Sequence, residues 1–187
     1  MALIALLKRI DYWRGADRLG PDIPWTHWRL YFHELAFRLC RDKFRRFGDL
    51  AEFRPGAYAD TCSKIEIGSR VVIRPGSMIF ADPALDGAGI TIEDDVLLGS
   101  GVHIYTTNHE FRSVTIPIID QGHSSSRQVI LRRGCWIGAN AVILPGVEIG
   151  ENSVIGAGSV VTKPIPPRVV AAGNPARVIR TIDYPPR

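Results

Sequence analysis

The chain has 187 residues, of which 45% are hydrophobic, and its formal net charge is +4 at pH 7. This length predicts one domain with an appendage, and the basic residues, concentrated before position 50, form no recognised nucleic-acid-binding motif, so no such partner is expected. Three cysteines without a CxxC pair argue against a disulfide framework and suit a reducing, cytoplasmic compartment.

Residues 1–60 are predicted to form a helical segment that precedes the main domain. The opening MALIALLKRI has too short an apolar run to span a membrane. It also lacks the small-residue cleavage pattern of a signal peptide. Thr26 is the expected N-cap of a helix through residues 27–47, which Gly48 ends.

Two interpretations of that helix stay open, because it combines an apolar face with a basic end. The apolar face consists of Trp28, Leu30, Tyr31, Leu35, Ala36 and Leu39. The basic end consists of Arg41, Lys43, Arg45 and Arg46. Such a helix either lies on an anionic membrane surface, as a peripheral contact, or caps the open end of the main domain.

The strongest pattern in the chain is an aliphatic residue at every sixth position. Six of these lie in unbroken register: Leu131, Ile137, Ile143, Ile149, Ile155 and Val161. A period of six fits neither a helix nor a simple alternating strand, and it is typical of a three-sided parallel β-solenoid with about 18 residues per turn. The fifth place of each hexad is mostly small, and Cys135 in one of them is predicted to be a packed core thiol.

Two shorter runs extend this coil toward the N-terminus and bring the count to twelve hexads, or about four turns. The first contains Ile67, Ile73 and Ile79, and the second contains Ile92, Leu98 and Ile104. Residues 83–91 interrupt the period briefly, and residues 110–130 form a longer loop. A long loop on a rigid scaffold more often serves function than stability.

The segment IYTTNHEF, the loop, and the stretch from CWIGANAVILPGVEIG to GNPARVIR resemble the hexapeptide-repeat O-acetyltransferases. The resemblance covers residues 61–182. It is to enzymes of the galactoside and maltose acetyltransferase kind, and among them it is strongest to those of polysaccharide and O-antigen synthesis. It implies an all-β, left-handed parallel β-helix, after a short helical segment and before a tail at 183–187. It also implies a homotrimer with active sites between subunits, acetyl-CoA as co-substrate, a sugar or glycan acceptor, and no metal.

The resemblance assigns the catalytic base to His109, which ends the hexad IYTTNH where the loop begins. The expected reaction moves acetyl from acetyl-CoA to a sugar hydroxyl, in cell-surface polysaccharide synthesis in the cytoplasm. Asn108, beside the base, is a candidate acceptor contact. Glu110 is a weaker candidate for orienting the imidazole, and His103 and His123 have no assigned chemistry.

Residue-by-residue correspondence with the family also implies a coenzyme A site on the C-terminal turns. Trp136 and Ala139 would line the pantetheine arm near the thioester, and Ala157 and Gly158 would let backbone approach that arm. Corner geometry within the repeat explains Ala157 and Gly158 equally well. The phosphate contacts implied are Thr162, Lys163, Arg177 and Arg180.

The acceptor side departs from the family pattern. Asp82 corresponds to a family carboxylate that binds the sugar, but Arg74 stands where the family has a sugar-binding asparagine. The excursion at residues 83–91 is also longer. These differences argue against a simple galactoside or maltose acceptor, and Arg74 favours a phosphate or carboxylate on the acceptor.

Four other functions compete with this interpretation. A γ-type carbonic anhydrase needs zinc-binding histidines with a spacing that His103, His109 and His123 lack. A serine acetyltransferase has a larger helical domain, and a non-catalytic scaffold would not need the IYTTNH motif. The main alternative is N-acetylation of a nucleotide-linked amino sugar, which often involves a glycine-rich N-terminal domain that residues 1–60 do not resemble.

Overall fold

The computed structural model describes residues 2–183, most of which form a parallel coil with three flat sides. The first side contains β2 (Arg46–Phe47), β5 (Ile65–Ile67), β8 (Ile90–Ile92), β11 (Val129–Leu131) and β14 (Glu148–Ile149). The second side contains β3 (Glu52–Phe53), β6 (Val72–Ile73), β9 (Leu97–Leu98), β12 (Trp136–Ile137), β15 (Val154–Ile155), β17 (Val169–Gly173) and β18 (Ala176–Thr181). The third side contains β1 (Arg18–Leu19), β4 (Tyr58–Asp60), β7 (Met78–Phe80), β10 (His103–Tyr105), β13 (Val142–Ile143) and β16 (Val160–Val161).

Strand register and burial confirm the hexad pattern. Each inward residue lies directly under its equivalent in the next turn, as Ile104 pairs with Ile143 and Ile143 with Val161. The six aliphatic residues of the long run are all fully buried: Leu131, Ile137, Ile143, Ile149, Ile155 and Val161. Cys135 is buried among them, as predicted. The interior is therefore one continuous stack of branched side chains, about 4.8 Å apart.

The coil begins at Arg46 rather than at the predicted boundary of residue 61, so it has five full turns and part of a sixth instead of about four. The inward residues of the first turn pair with those of the second: Phe47 with Ile67, Phe53 with Ile73, and Ala59 with Ile79. Two of the three are aromatic and one is alanine, which concealed the aliphatic pattern. A 3₁₀ turn at Cys62–Lys64 also lengthens this turn and shifts the 18-residue spacing.

The corners of the coil depend on residues with positive φ, placed three positions after an inward residue. Asn140 has φ 58°, Asn152 has φ 55° and Gly158 has φ 69°. Glycine and asparagine adopt this left-handed conformation at low cost. Proline cannot, because its ring fixes φ near −65°. Pro164 falls at this position after Val161, and it ends the regular repeat as the sequence predicts.

The N-terminal segment contains α1 (Ala2–Gly15), α2 (Pro24–His27), a 3₁₀ turn at Trp28–Tyr31 and α3 (His33–Lys43). The prediction of one helix through residues 27–47 is therefore wrong. The chain is extended at Phe32, with φ −123° and ψ 113°. Thr26 lies inside α2 rather than at an N-cap, because Pro24 starts the helix earlier.

Helix α3 packs on β2 and β3, as expected of a helix that caps the coil. Its Leu39 and Cys40 are buried in the core. After α3 the backbone is extended at Phe44. The ring of Phe44 stacks on that of Phe47, with centroids 5.7 Å apart. Burial of these two rings in the first turn explains why the helix ends before Gly48.

Two corners of the coil matter for function. The loop corner, between the third and first sides, contains residues 61–64, 81–89, 106–128, 144–147 and 162–164. The glycine corner, between the second and third sides, contains residues 54–57, 74–77, 99–102, 138–141 and 156–159. Both interruptions of the hexad period lie at the loop corner, in successive turns, so they stand directly above one another.

The C-terminal part of the described chain folds back on the coil. Strand β18 runs antiparallel to β17 at the end of the second side, with Ala172 opposite Arg177. This hairpin covers the last turn of the coil. Of the predicted tail at 183–187, residues 184–187 lie outside the described residues.

Candidate functional site

His109 lies at the loop corner, where the chain leaves the third side after β10. A cavity of about 390 Å³ opens beside it. Its lining consists of Phe80, Ala81, Tyr105, Thr107, Asn108, His109, His123 and Leu144. Because His109 is exposed, its imidazole is accessible to a ligand that enters this cavity.

The loop folds back on its own beginning and so fixes the position of the imidazole. The backbone N–H of Ser124 donates to the carbonyl of Asn108 at 2.9 Å. Thr107 Oγ1 donates to the carbonyl of Ser124, also at 2.9 Å. These bonds pair His109 with His123 in an antiparallel bridge. The two rings stack with centroids 4.6 Å apart and planes 29° apart.

The inner wall of the cavity is an aromatic stack on the outer face of the third side. Phe80 and Tyr105 occupy equivalent positions in successive turns, and their rings are 5.4 Å apart and nearly parallel. Burial raises the pKa of Tyr105. Its hydroxyl lies 2.8 Å from Nδ1 of His103. His103 therefore supports the wall, and it does not line the cavity.

A second cavity, of about 480 Å³, adjoins the first and contains Asp82. The Asp82 carboxylate accepts the N–H of Ala84 at 3.1 Å. A hydrogen bond from the Ser126 hydroxyl, and then the one from Ala84, hold the pKa of Asp82 below its usual range. His123 lines both cavities and so connects the carboxylate with the imidazole of His109.

The excursion that carries Asp82 is held by a lysine from the previous turn. Lys64 Nζ donates to the carbonyl oxygens of Asp82 at 2.9 Å and of Gly87 at 3.3 Å, and also to that of Ala84. One ammonium group thus satisfies three carbonyls that leave the coil. Lys64 and Asp82 are 18 residues apart, the length of one regular turn, whereas the contacts with Ala84 and Gly87 depend on how the excursion folds.

The Glu110 carboxylate forms its hydrogen bonds with its own loop segment and not with His109. Its carboxylate accepts the backbone N–H of Phe111 at 2.9 Å and Nε of Arg112 at 2.9 Å. Hydrogen bonds from the Arg112 guanidinium, and then from the backbone N–H groups of Phe111 and Arg112, lower the pKa of Glu110 to about 2. Glu110, the weaker candidate for orienting His109, therefore binds its own loop segment instead.

The residues expected around pantetheine lie at the other corner. Trp136, at the start of β12, is half exposed, and Ala139 follows at the glycine corner. Ala157 and Gly158 are exposed one turn later. A Cβ built on Gly158 meets nothing within 4 Å, so its positive φ, rather than crowding, explains the glycine. The surface beside it is open to a ligand.

The expected phosphate contacts divide between two places. Thr162 and Lys163 are exposed at the loop corner, directly after β16. Arg177 and Arg180 are exposed on β18, on the second side. Their guanidinium groups donate to backbone carbonyls of their own strand, at 2.9 Å to Ala176 and 3.4 Å to Thr181.

One chain therefore carries two groups of candidate residues on different corners. Asp82, Asn108 and His109 lie together at the loop corner, while Arg74 lies at the glycine corner and lines neither of the two cavities. The third side separates these corners by the length of one hexad, about 15–20 Å. The structure does not bring Arg74 or the pantetheine residues to His109 within one copy.

The cysteine thiols add no chemistry to this site, and the described residues contain no candidate metal-binding group. Cys40, Cys62 and Cys135 are free and buried. Burial raises the pKa of Cys135 to about 12, so it stays a packed thiol. Residues 2–183 contain no group of three or more His, Cys, Asp or Glu side chains placed to hold a metal ion.

Another cavity, of about 230 Å³, lies between α3 and the first turn of the coil. Its lining is mostly apolar and includes Leu30, Phe37 and Phe53. The two charged residues at its wall, Glu52 and Arg54, pair with each other at 2.8 Å. The imidazole of His33 and the buried thiol of Cys40 also line this cavity, which is separate from the one beside His109.

Comparison with known proteins identifies similar chains. Residues 129–163 match the family described as bacterial transferase hexapeptide (six repeats). Over 145 residues the chain is 40% identical to galactoside O-acetyltransferase of Escherichia coli (strain K12), which covers 78% of this chain and 68% of that protein. The similarity thus extends well beyond the regular repeat.

Two solved structures have the same architecture over nearly the whole chain. A galactoside acetyltransferase in complex with coenzyme A gives a TM-score of 0.73 at 33% identity, over 96% of this chain and 80% of that one. A maltose O-acetyltransferase from Clostridium difficile 630 also gives 0.73, at 30% identity, over 96% of this chain and 89% of that one. The parallel coil and its helical segment are therefore shared with both.

Proposed function

Because this chain belongs to the hexapeptide-repeat acetyltransferase family, we propose that it transfers the acetyl group of acetyl-CoA to a sugar hydroxyl. Its relatives include proteins named galactoside and maltose O-acetyltransferase, and one was solved with coenzyme A. The observation that carries the proposal is the exposed His109 imidazole in a cavity that adjoins the Asp82 carboxylate. A hydroxyl acceptor needs both a base and an anchor.

In this reaction His109 takes the proton of the acceptor hydroxyl while that oxygen attacks the thioester carbonyl carbon. The C–O bond of the ester forms, and the C–S bond breaks when the electron pair returns from the carbonyl oxygen. The imidazolium then protonates the leaving coenzyme A sulfur. Imidazole suits both steps because it exchanges protons near neutral pH. Backbone N–H groups of the coil or loop would stabilise the negative carbonyl oxygen.

The acetyl-CoA donor is assigned to the glycine corner and the adjoining second side, with Thr162 and Lys163 at the loop corner as further phosphate contacts. Trp136 and Ala139 would flank the pantetheine arm, and Ala157 and Gly158 would leave room for it. Four exposed groups would contact the nucleotide phosphates: Thr162, Lys163, Arg177 and Arg180. The support for these roles is their exposure and the correspondence with the family.

The separation of donor and acceptor groups supports a homotrimer with active sites between subunits. In such an assembly the glycine corner of one copy lies against the loop corner of the next, which joins Trp136 to His109. Arg74 would reach the acceptor in the same way. Family membership is also the basis for proposing that the coil winds left-handedly.

Acceptor contacts are assigned to Asp82, Asn108 and Arg74. The Asp82 carboxylate would accept hydrogen bonds from sugar hydroxyls, and the Asn108 amide can accept or donate them. Arg74 would pair with a phosphate or carboxylate on the acceptor. Such an acceptor fits a nucleotide-linked, lipid-linked or acidic sugar of cell-surface polysaccharide synthesis. Free, buried thiols fit a cytoplasmic enzyme.

The first test measures release of free coenzyme A thiol in the presence of acetyl-CoA and a panel of free, nucleotide-linked and lipid-linked sugars. Turnover with one sugar, lost by about 10²–10⁴-fold in His109→Ala, is the expected result. His103→Ala is the matched control, since that imidazole contacts Tyr105 outside the cavity. Equal turnover by wild type and His109→Ala would remove the assignment of the base.

Product chemistry separates O-acetylation from N-acetylation. An ester is cleaved by hydroxylamine under mild conditions, whereas an amide of an amino sugar is not. A hydroxylamine-stable product would replace the sugar hydroxyl with an amine as the acceptor. Sedimentation of the wild-type protein tests the trimer, which predicts three times the mass of one chain.

A further inference from the structure

The first half of α1 is covered by no other part of the described chain. Leu3, Ile4, Leu6 and Leu7 are 69%, 61%, 51% and 52% exposed. Only the second half of the helix packs, where Trp13 is partly buried and α1 meets α2. Four large apolar side chains thus form one uncovered surface over about one and a half helical turns. The surfaces of soluble monomeric proteins rarely expose such a patch.

Basic and aromatic residues follow these apolar side chains directly. Lys8 and Arg9 come next, and the Arg9 guanidinium lies 5.6 Å from the ring centre of Tyr12 and 5.3 Å from that of Trp13. Within residues 2–43, eight basic and five acidic side chains give a net charge of +3. Apolar residues bordered by cations and by tyrosine and tryptophan are typical of segments at a lipid–water interface.

A second group of exposed aromatic residues adjoins α1 through α2. Trp28 and Phe32 are about half exposed, and their rings make an edge contact at 6.0 Å. The Arg29 guanidinium lies 5.8 Å from the Trp28 ring centre. Leu30, in the same turn, is buried toward the coil. The turn therefore directs its aromatic rings and one cation to solvent on the side away from the core.

We propose that α1 and the aromatic turn at Trp28–Tyr31 form a docking surface for an anionic lipid bilayer. Positive charge beside the uncovered apolar residues is complementary to acidic headgroups. Helix α1 is about 21 Å long, which is shorter than the hydrocarbon core of a bilayer. No helix within residues 2–183 is long and apolar enough to cross a membrane, so α1 lies along the surface.

This surface overlaps only in part with the one that the sequence indicates. Of the apolar face predicted for residues 27–47, Leu30 and Leu39 are buried, whereas Trp28, Tyr31 and Leu35 stay exposed. The four uncovered apolar residues of α1 were not part of that predicted face. The inference depends on exposure and charge in α1 and its neighbours, and it holds whatever acceptor the enzyme uses.

The test is co-flotation of the full chain with vesicles of phosphatidylcholine alone or mixed with phosphatidylglycerol. Wild type is expected to bind the anionic vesicles at least about tenfold more strongly, and to lose binding as salt rises. The double variant Leu3→Glu/Leu7→Glu is expected to lose about tenfold or more of that binding. Leu50→Glu/Leu85→Glu is the control, because both leucines are exposed and lie outside α1 and the aromatic turn.

Several results would overturn the docking surface. They are absence of wild-type binding to anionic vesicles, equal binding by Leu3→Glu/Leu7→Glu, or equal loss in the control. A change in sedimentation of Leu3→Glu/Leu7→Glu, with no vesicle binding by wild type, would mean that a second copy covers α1. If that variant does not fold, quenching of wild-type tryptophan fluorescence by brominated lipids decides, and no quenching counts against the proposal.

Acetyl transfer to a water-soluble sugar, without vesicles, keeps this inference separate from the proposed function. Retained turnover with lost vesicle binding in Leu3→Glu/Leu7→Glu supports docking alone. Vesicle binding by a wild-type protein that acetylates no sugar would leave the docking surface standing and remove the proposed function.

Discussion

The turns at residues 129–163 and the two turns before them have the same interior but different loop corners. Ile92 and Ile104 are as fully buried as Ile137. In the later turns Gly146, with φ 82°, closes the loop corner in four residues. In the earlier turns the same corner holds residues 81–89 and 106–128. The comparison shows that a closed stack tolerates long insertions at a corner, since lengthening a loop costs little extra entropy.

The largest expected effect distinguishes the interior from the loop. Ile137→Ala should lower the free energy of unfolding by about 2–5 kcal/mol, because it leaves a cavity in the middle of the stack. Ile119→Ala, in the loop, should change it by less than about 0.5 kcal/mol, because Ile119 is exposed. Chemical denaturation of both variants measures the difference.

Ile143→Ala, one side further along the coil, serves as the control for position, and it should behave as Ile137→Ala does. If Ile119→Ala were as destabilising as Ile137→Ala, the loop would be part of the cooperative core. The separation between a stable stack and a functional corner would then be wrong.

The second effect concerns the stacked imidazoles at the loop corner. His123→Ala should lower kcat by about 10–100-fold, because His109 loses the ring that fixes its orientation. Stability should stay within about 0.5 kcal/mol of wild type, since His123 is exposed. Steady-state thiol release and thermal unfolding measure the two quantities.

His123→Phe separates stacking from proton exchange. It keeps an aromatic ring against His109 and removes the nitrogens, so it should recover most of the lost kcat if position alone matters. No recovery would assign an acid–base role to His123. Wild-type kcat in His123→Ala would show that the stack observed at 4.6 Å has no part in the reaction.

The interior was predictable from the sequence because each inward position is set by a local period. The first turn of the coil, which was not predicted, has the same period, because Phe47, Phe53 and Ala59 are also six residues apart. The site was predictable only in part. His109 has a motif, and Phe80 and Tyr105 each follow an inward isoleucine, which is a usable signal.

The remaining contacts of the site depend on how the chain folds outside the period. The bridge between His109 and His123 needs a loop that returns on itself, and the contacts of Lys64 with Ala84 and Gly87 need a folded excursion. Hydrogen bonds of this kind join residues with no fixed spacing. The direction of Glu110 is equally local, because the choice between His109 and Arg112 depends on loop geometry.

A smaller effect is expected at the donor side. Arg177→Ala should raise KM for acetyl-CoA about three- to tenfold with little change in kcat, as expected for one exposed phosphate contact. If the difference in KM disappears when the donor is 3′-dephospho-acetyl-CoA, Arg177 contacts the 3′-phosphate. Arg112→Ala, whose guanidinium binds Glu110, is the control for loss of one exposed arginine. A lower kcat with unchanged KM would assign Arg177 to another role.

The smallest effect is expected at Glu110, beside the proposed base. Since its pKa is lowered to about 2 from 4.5, the carboxylate stabilises the folded loop above pH 4.5. That contribution is lost as pH falls from 4.5 toward 2, which is below the range in which imidazole titrates. Glu110→Gln should therefore change kcat less than about twofold near neutral pH and leave the acid limb of the pH–rate profile in place.

The pH–rate profile of Glu110→Gln distinguishes two roles of the carboxylate, which are hydrogen bonding within its own loop segment and contact with the His109 imidazole. A loss of kcat in Glu110→Gln as large as that in His123→Ala would mean that the carboxylate leaves Arg112 and turns to His109 during the reaction. The loop corner would then contain a moving carboxylate, and the hydrogen bonds of Glu110 to Arg112 would describe only the free enzyme.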